Sequence, residues 1–271
     1  MIPRDYITEW RANAPWVSDI QVEQDLVICR ALVGIFTHPV LREALAFRGG
    51  TALYKLYLTP AARYSEDIDL VQVKAEPAGA VMDALRQTLD PWLGKAQWKQ
   101  TEGRVTLNYR FSSEDPTPLS LRLKVEINTR EHFSEHGFQR VPFAVSSRWF
   151  SGACDITTYD LDELLGTKLR ALYQRRKGRD LFDIATAFSQ GDVDPARVVA
   201  AFSRYMREEG HRVTRAVFEE NLAAKIGDTR FTSDVPSLLT SGRDWNVQEA
   251  ATLVLDTLCP LLEKDSRQEK P

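Results

Sequence analysis

Cysteines and long apolar runs are both scarce in this sequence. Its 271 residues include three cysteines, Cys29, Cys154 and Cys259, which are odd in number and far apart. This pattern excludes a disulfide framework or a zinc ribbon and is typical of a reducing compartment. The longest apolar stretch, Leu26 to Phe36, contains Arg30 and is far shorter than the ~20 residues of a membrane span. The N-terminus has no apolar signal-peptide region, so we expect a cytoplasmic protein with no contact to membranes.

Glycine and proline are also few, at 14 and 13 residues, and neither recurs with a period. Fibrous, repeat and low-complexity classes are therefore excluded. Hydrophobic residues make up 43% of the chain and charged residues 27%, which is typical of a globular protein. A length of 271 residues allows one large domain or two modest ones.

Net charge is low, at −3, but one segment is strongly basic. Lys168 to Arg179 holds six basic side chains and no acidic one, whereas the other residues carry 29 basic against 38 acidic. A local basic patch on an acidic body favours a phosphate-bearing ligand over general coating of DNA. The alternative is an ordinary solvated helix face.

The N-terminal half has a mixed pattern of helices and strands. Ser18 to Gln21 form a capping box, which predicts a helix to about Thr37 that His38-Pro39 interrupts. Further helices are predicted to about Ala46, over 52–58 and over 77–92, and strands over 63–73, 96–101, 104–112 and 119–129. Glu102-Gly103 has the composition of a hairpin turn, and 115–118 that of a loop.

The C-terminal half has only helical patterns, over 161–174, 181–188, 195–207, 214–226 and 247–262. We therefore predict an α+β protein with a first domain over 1–155, a helical domain over 156–265 and a polar tail over 266–271.

Two short motifs, Gly49-Gly50-Thr51 and Asp67-Ile68-Asp69, form the sharpest group of candidate functional residues. Residues two apart on a strand face the same side, so Asp67 and Asp69 project together, with Cα atoms about 6–7 Å apart. Paired carboxylates bind hard cations such as Mg²⁺. The glycines let backbone N–H groups approach a phosphate, and the helix beginning near Thr51 adds its positive end. Alone, each motif is also typical of a plain turn or an exposed strand; together they match the needs of phosphoryl transfer.

The strand predicted over 119–129 supplies a third carboxylate. Its apolar side chains share one face, and Glu126 lies on the other beside Lys124. If this strand neighbours the Asp67 strand, three carboxylates converge: two would hold metal ions and the third would activate an attacking hydroxyl. The alternative is a surface glutamate paired with Lys124 or Arg122.

His132 and His136 form an H-x-x-E-H pattern with Glu135, which is also found in a class of zinc proteases. Zinc binding there needs both histidines on one helix face, but Gly137 follows at once and the segment leaves a strand. We expect a loop whose histidines contact RNA rather than a zinc site. The sequence also lacks a Walker A motif, a nucleophile elbow and a Rossmann fingerprint.

The run FRGGTALYKLY followed by RYSEDIDL resembles the Gly-Gly-Ser/Thr and Asp-x-Asp signature of the polymerase-beta-like nucleotidyltransferase superfamily. More narrowly, it is similar to the AbiEii/AbiGii toxins and the MenT-type tRNA nucleotidyltransferase toxins of type IV toxin–antitoxin systems. Three later segments match the same family in order: LKVEIN, DELLGTKLRAL and RRKGRDLFDIA. The matches span roughly residues 47 to 185, and the flanking residues match only as generic helices.

The resemblance implies a role for each matching residue. Those implied to bind the nucleotide are Gly49, Gly50, Thr51, Arg63, Ser65 and Lys168. Those implied to be catalytic are Asp67, Asp69, Glu126, Lys168 and Asp183, of which the first three would also ligate Mg²⁺. In some relatives the antitoxin is thought to phosphorylate a hydroxyl at the position of Ser65.

Lys168 and Asp183 are fifteen residues apart, about 22 Å along a straight helix. They can serve one nucleotide only if the chain bends, and Gly178 is the candidate bend. Asp180 has the position of a helix-start residue. Without the resemblance, an ordinary exposed lysine is the favoured interpretation of Lys168.

The sequence therefore predicts a polymerase-beta-like nucleotidyltransferase domain, a mixed sheet with helices, followed by a C-terminal helical bundle. The implied reaction is Mg²⁺-dependent transfer of NMP from an NTP to an acceptor hydroxyl. The favoured acceptor is the 3′ end of tRNA, and the basic segment from Lys168 to Arg179 would hold the phosphates of that tRNA. A cognate antitoxin would neutralise this toxin. The alternatives are transfer to a protein or small molecule, and a catalytically weak nucleotide-binding module.

Overall fold

A computed structural model describes residues 2–114 and 117–264 of the chain. The molecule divides into two compact units, Met1–Tyr159 and Asp160–Pro271. The boundary predicted at 155/156 falls inside the last strand of the first unit. The predicted tail over 266–271, and residues 115 and 116 of the predicted loop, lie outside the described residues.

The first unit contains five α-helices and seven strands among its described residues. The helices are α1 (Arg4–Trp10), α2 (Asp19–Thr37), α3 (Pro39–Ala44), α4 (Gly49–Ala52), which continues as a π-helix (Leu53–Tyr57), and α5 (Gly79–Leu93). The strands are β1 (Leu45–Arg48), β2 (Asp67–Gln72), β3 (Gln97–Thr101), β4 (Arg104–Ser112), β5 (Ser120–Asn128), β6 (Phe138–Ser146) and β7 (Ser151–Tyr159).

The strands form one mixed sheet in the order β3-β4-β5-β2-β1-β7-β6. Strand β2 runs parallel to β5 and antiparallel to β1, while β1 runs parallel to β7. The mixed sheet with helices confirms the predicted α+β class.

Alternation along the strands divides the sheet into an apolar and a polar face. Ile68 on β2, Val125 on β5 and Leu107 on β4 lie side by side and are fully buried. Burying each such side chain contributes ~1.5–3 kcal/mol. Helix α2 packs against β5, β6 and β7. The core therefore fixes which residues of β2, β4 and β5 face away from it.

The capping box predicted at Ser18 is confirmed, since Ser18 caps α2 and Gln21 completes the box. The hairpin of β3 and β4 and the strand β5 also lie within one residue of their predicted bounds. The predictions missed β1, which was taken as the end of a helix, and both β6 and β7. Strand β2 is shorter than predicted, because residues 64–66 are irregular.

The second unit is helical throughout its described residues. Its α-helices are α6 (Leu161–Gln174), α7 (Gly178–Gln190), α8 (Pro195–Glu208), α9 (Arg215–Ile226), α10 (Thr229–Thr232) and α11 (Val247–Thr257). Short 3₁₀ turns cover Pro236–Leu238 and Cys259–Leu261. Helix α6 packs against α7, α8 and α9, and α11 packs against α7 and α9. The predicted C-terminal helices are therefore confirmed.

Across residues 2–114 and 117–264, no helix has both the length and the apolar character that crossing a membrane requires.

Candidate active site

The glycine pair forms the turn from β1 into α4, and its backbone lies directly against two candidate side chains. Gly49 has a φ of +82°, and a Cβ there would lie 2.5 Å from Oδ2 of Asp69. A Cβ on Gly50 would lie 2.6 Å from a guanidinium nitrogen of Arg63. The positive φ and the contact with Asp69 favour glycine at position 49, whereas a side chain at position 50 would have to displace the Arg63 guanidinium.

Thr51 joins this turn to the start of β2. Its hydroxyl donates to the main-chain oxygen of Asp67 over 2.6 Å and lies 2.8 Å from Oγ of Ser65. Thr51 is 2% exposed. Because the hydroxyl proton is committed to Asp67, the side chain of Thr51 positions the first carboxylate, and Ser65 extends the same hydrogen-bonded chain.

Asp67 and Asp69 lie on the polar face of β2, and the parallel pairing of β2 with β5 sets their neighbours. Asp67 is opposite Lys124, and Asp69 is opposite Glu126. The strand adjacency on which the three-carboxylate prediction depends is therefore present in the fold.

Cations lie between these carboxylates. Nζ of Lys124 is 3.0 Å from Oδ2 of Asp67 and 3.4 Å from Oε2 of Glu126, and Nε of Arg104 is 3.4 Å from Oε1 of Glu126. All four groups keep some exposure to solvent. Glu126 therefore forms the ion pair with Lys124 that was predicted as the alternative, and it also lies on a strand next to β2.

The oxygen donors suit a hard divalent cation, but the side chains are not closed around one. Among the residues that the structure describes, no three His, Cys, Asp or Glu side chains are spaced to hold a metal ion. Burial, together with the charge of Asp67, raises the pKa of Asp69, although Arg48 and Lys124 partly offset this. Positive charge beside the two aspartates is therefore favoured, which suits a divalent cation, although Lys124 already engages Asp67 as well as Glu126.

An ion pair that the sequence analysis missed borders Asp69. Arg48 is directly opposite Asp69 in the β1–β2 pairing, and its guanidinium donates to the carboxylate of Glu131 in the loop after β5. Burial lowers the pKa of Arg48, but the charges of Glu131, Tyr159 and Asp69 and the hydrogen bond to Glu131 together outweigh it, so the pKa is raised. The sequence signal was the arginine immediately before the glycine pair; its partner, 83 residues later, had none.

Arg63, predicted to contact the nucleotide, is buried behind the glycine turn. It is 2% exposed, donates to the main-chain oxygen of Tyr64 over 2.9 Å and lies over the ring of Tyr54, 5.2 Å from its centroid. These contacts make Arg63 a support for Gly50 in this structure.

In the second unit, Lys168 and Asp183 meet, as the predicted bend requires. Helix α6 ends at Gln174 and α7 begins at Gly178, so Nζ of Lys168 lies 2.8 Å from Oδ2 of Asp183 and 3.2 Å from Oδ1 of Asp180. The two aspartates have no exposed side-chain surface, and Lys168 has 8%.

Asp180 lies in the first turn of α7, near the predicted helix start, and it binds a second cation. Arg175 donates to both of its carboxylate oxygens, over 2.7 and 2.8 Å. Burial would raise the pKa of Asp180, but the Lys168 charge and the Arg175 hydrogen bonds outweigh it, so the pKa is lowered.

The basic segment from Lys168 to Arg179 is neutralised by carboxylates that lie elsewhere in the chain. Beyond Lys168 and Arg175, the ion pairs are Arg170–Glu209, Arg176–Asp228, Lys177–Asp234 and Arg179–Asp234. Every basic side chain of the segment thus has an acidic partner, and the unopposed patch expected from the local sequence is not present.

His132 and His136 lie in the irregular segment between β5 and β6, as predicted. Nδ1 of His132 is 2.7 Å from the main-chain oxygen of Gln72. The segment is not helical, so the two histidines do not share a helix face as a zinc protease requires.

Comparisons with known proteins identify the family and the fold of the chain. The model of one family, described as nucleotidyl transferase AbiEii toxin of type IV toxin–antitoxin systems, matches residues 30–253. MenT4, a nucleotidyltransferase toxin from Mycobacterium tuberculosis H37Rv, is structurally similar with a TM-score of 0.71 and 18% identity, covering 98% of this chain and 91% of that one. JHP933 from Helicobacter pylori has a TM-score of 0.56 and 17% identity, covering 91% and 93%. At these identities the two structures share the fold. No curated protein sequence matches the chain.

Proposed function

This chain belongs to the AbiEii family of nucleotidyltransferase toxins of type IV toxin–antitoxin systems, and from that membership we propose that it transfers NMP to the 3′ end of tRNA. Membership makes the chain a nucleotidyltransferase that uses an NTP and has an antitoxin partner. Enzymes of this family generally use divalent metal ions, and we propose Mg²⁺ for this one.

In the proposed reaction, the 3′ oxygen of the acceptor attacks the α-phosphorus of the NTP and forms a new P–O bond. The bond from the α-phosphorus to the bridging oxygen breaks, and pyrophosphate leaves with the electron pair. The hydroxyl proton passes to Glu126, which lies opposite Asp69 on the polar face. Mg²⁺ held by Asp67 and Asp69 would neutralise charge on the phosphates.

One observation carries the assignment: the glycine turn lies directly against the Asp69 carboxylate. A Cβ on Gly49 would lie 2.5 Å from Oδ2 of Asp69, so backbone donors for a phosphate and oxygens for a cation meet at one point. Phosphoryl transfer needs both groups close together, because a cation held by the carboxylates would neutralise charge on a phosphate held by the turn. Gly49, Gly50 and the main chain of Thr51 would hold the triphosphate.

Supporting roles follow from the contacts around this turn. Ser65 and Arg63 would act near the nucleotide, Ser65 through its hydroxyl and Arg63 by holding Gly50 in place. Lys168 and Asp183 would act as a pair, because the carboxylate of Asp183 lies 2.8 Å from the ammonium of Lys168 and would orient it toward a phosphate.

Transfer of each α-labelled NTP to total tRNA, with Mg²⁺, tests the proposal. We expect one nucleotide to label tRNA, and the Asp69→Asn variant to lose at least about 10²-fold in rate, as for loss of one group that stabilises the transition state. The matched control is Asp83→Asn, an equal change at an exposed carboxylate of α5. Chelation by EDTA should stop labelling, and added Mg²⁺ should restore it.

Labelling of protein or small molecules, and not of tRNA, would support the nucleotidyltransferase activity but show that the acceptor is not tRNA. Equal labelling of tRNA by wild type and Asp69→Asn would contradict the assigned site. No labelling of any acceptor would favour the nucleotide-binding module.

A further inference from the structure

The polar face of β3, β4 and β5 carries far more positive than negative charge. Strand pairing places these side chains on the same face as Asp67 and Asp69. The cations on this face are Lys99, Arg104, Arg110, Arg122 and Lys124, and the one anion on these three strands is Glu126. This charge balance differs from that of the whole chain, which is acidic.

Two of these arginines are directly opposite each other. Arg110 on β4 pairs with Arg122 on β5, and both side chains are exposed. Within residues 2–114 and 117–264, no carboxylate lies within ion-pair distance of either guanidinium. Like charges directly opposite in a sheet are destabilising. An anionic ligand between the two guanidinium groups would remove that repulsion.

This pair contrasts with the basic segment of the second unit. There, exposed cations such as Arg176 and Lys177 have Asp228 and Asp234 as partners. A phosphate binding at that segment would compete with carboxylates already in place. At the pair of Arg110 and Arg122, no carboxylate of residues 2–114 and 117–264 would compete with it.

The pair also borders the candidate active site. Arg122 is two residues before Lys124 on one face of β5, so their Cα atoms are about 7 Å apart. Lys124 in turn contacts Asp67 over 3.0 Å. An anion on the arginine pair is therefore next to the carboxylates that the transferred nucleotide must reach.

We propose that Arg110 and Arg122 bind backbone phosphates of the RNA acceptor strand and guide its 3′ end to Asp67 and Asp69. This inference rests on the proposed function and names the surface that holds the acceptor. Guanidinium groups match phosphate geometry with paired hydrogen bonds. An acidic protein surface would also neutralise the two arginines. However, only an acceptor strand must place its 3′ end beside Asp67 and Asp69, which is why we choose RNA.

The test compares Arg110→Gln/Arg122→Gln with wild type, using total tRNA and the NTP that labels it. Loss of two phosphate contacts should raise the KM for tRNA about 10- to 100-fold. It should also reduce the slope of log affinity against log salt by about 1.4–1.8, since each phosphate contributes ~0.7–0.9. The KM for the NTP should stay at the wild-type value, which separates backbone phosphates from the triphosphate.

The matched control is Arg42→Gln/Arg140→Gln, which removes two exposed arginines that share Glu43. It should leave both KM values and the salt slope unchanged. The melting temperature of Arg110→Gln/Arg122→Gln should equal or exceed that of wild type, because a repulsion is removed.

An unchanged KM for tRNA in Arg110→Gln/Arg122→Gln, with wild-type labelling intact, would overturn this inference alone. If the variant raises the KM for the NTP and not the KM for tRNA, the arginines bind the nucleotide, and the inference is also overturned. Loss of tRNA binding in Arg176→Gln/Lys177→Gln, and not in the sheet variant, would place the acceptor on the second unit. If the wild-type chain labels no tRNA, the proposed acceptor and this inference fail together.

Discussion

Replacing Lys168 by methionine should destabilise the second unit strongly. The substitution keeps the side-chain volume but removes the ammonium from two carboxylates with no exposed surface, Asp180 and Asp183. Breaking a buried ion pair by removing one partner costs about 3–5 kcal/mol. Arg175 still neutralises Asp180, so most of the cost comes from Asp183. A domain is stable by only about 5–15 kcal/mol, so this loss is a large fraction of the total.

Urea unfolding followed by far-ultraviolet circular dichroism measures this effect. With an m-value of about 2 kcal/mol/M, the midpoint of the helical unit should fall by about 1.5–2.5 M. The matched control is Lys177→Met, whose ammonium is half exposed and whose partner Asp234 keeps Arg179. An exposed pair is worth about 0–1 kcal/mol, so the control midpoint should shift by less than about 0.5 M.

Equal midpoints for the Lys168 variant and its control would refute the reasoning, because the ammonium would then be dispensable to the buried carboxylates. The result also decides how activity data are interpreted. If the variant is unfolded under assay conditions, its loss of transfer reports stability; if it is folded and inactive, the Lys168 ammonium has a role in the transfer itself.

Two further predictions concern the glycine turn and acid stability. Gly49→Ala should lose about 1–2 kcal/mol from its positive φ and, by displacing Asp69, at least about 10-fold in transfer rate. The control is Gly94→Ala, because Gly94 also has a positive φ, +81°, but an added Cβ there meets no atom within 4 Å. It should lose similar stability and keep its transfer activity. Equal activities of the two variants would show that an added Cβ at position 49 does not displace Asp69. Because the pKa of Asp180 is lowered in the fold, its stabilisation is complete above its unfolded pKa of about 3.9 and is lost as the pH falls through the folded value. Urea midpoints between pH 6 and pH 2 should show this loss, and Asp180→Asn should have a flatter pH profile; parallel profiles would exclude Asp180 as its source.

Local patterns in the sequence predicted those parts of the fold in which each residue's environment depends on near neighbours. Strand β5 alternates strictly between buried positions and positions that keep some exposure, so its faces could be assigned from sequence alone. Strand β1 has four residues, three of them fully buried, and a short apolar run has no period to distinguish strand from helix. Strand β6 contains Pro142 and is exposed along most of its length, so its alternation is weak.

The same limit applies to the candidate site. The motif residues come together because β2 and β5 pair. From the sequence, that pairing could only be assumed. Ion partners distant in sequence could not be predicted: Glu131 is 83 residues from Arg48, and Asp228 is 52 residues from Arg176. The basic segment therefore has more net charge in sequence than in the folded chain, while Arg110 and Arg122, twelve residues apart in sequence, become opposed only in the sheet.

The parallel pairing of β2 with β5 also makes the active site intolerant of small errors in strand alignment. A slip of one residue would turn Lys124 and Glu126 into the core and expose Val125 to water. The energy that holds Val125 inside thus disfavours this one-residue misalignment of the carboxylates. Substitutions that loosen this core should consequently reduce catalytic competence before they unfold the protein, so selection for a working toxin and selection for a sound core act on the same residues.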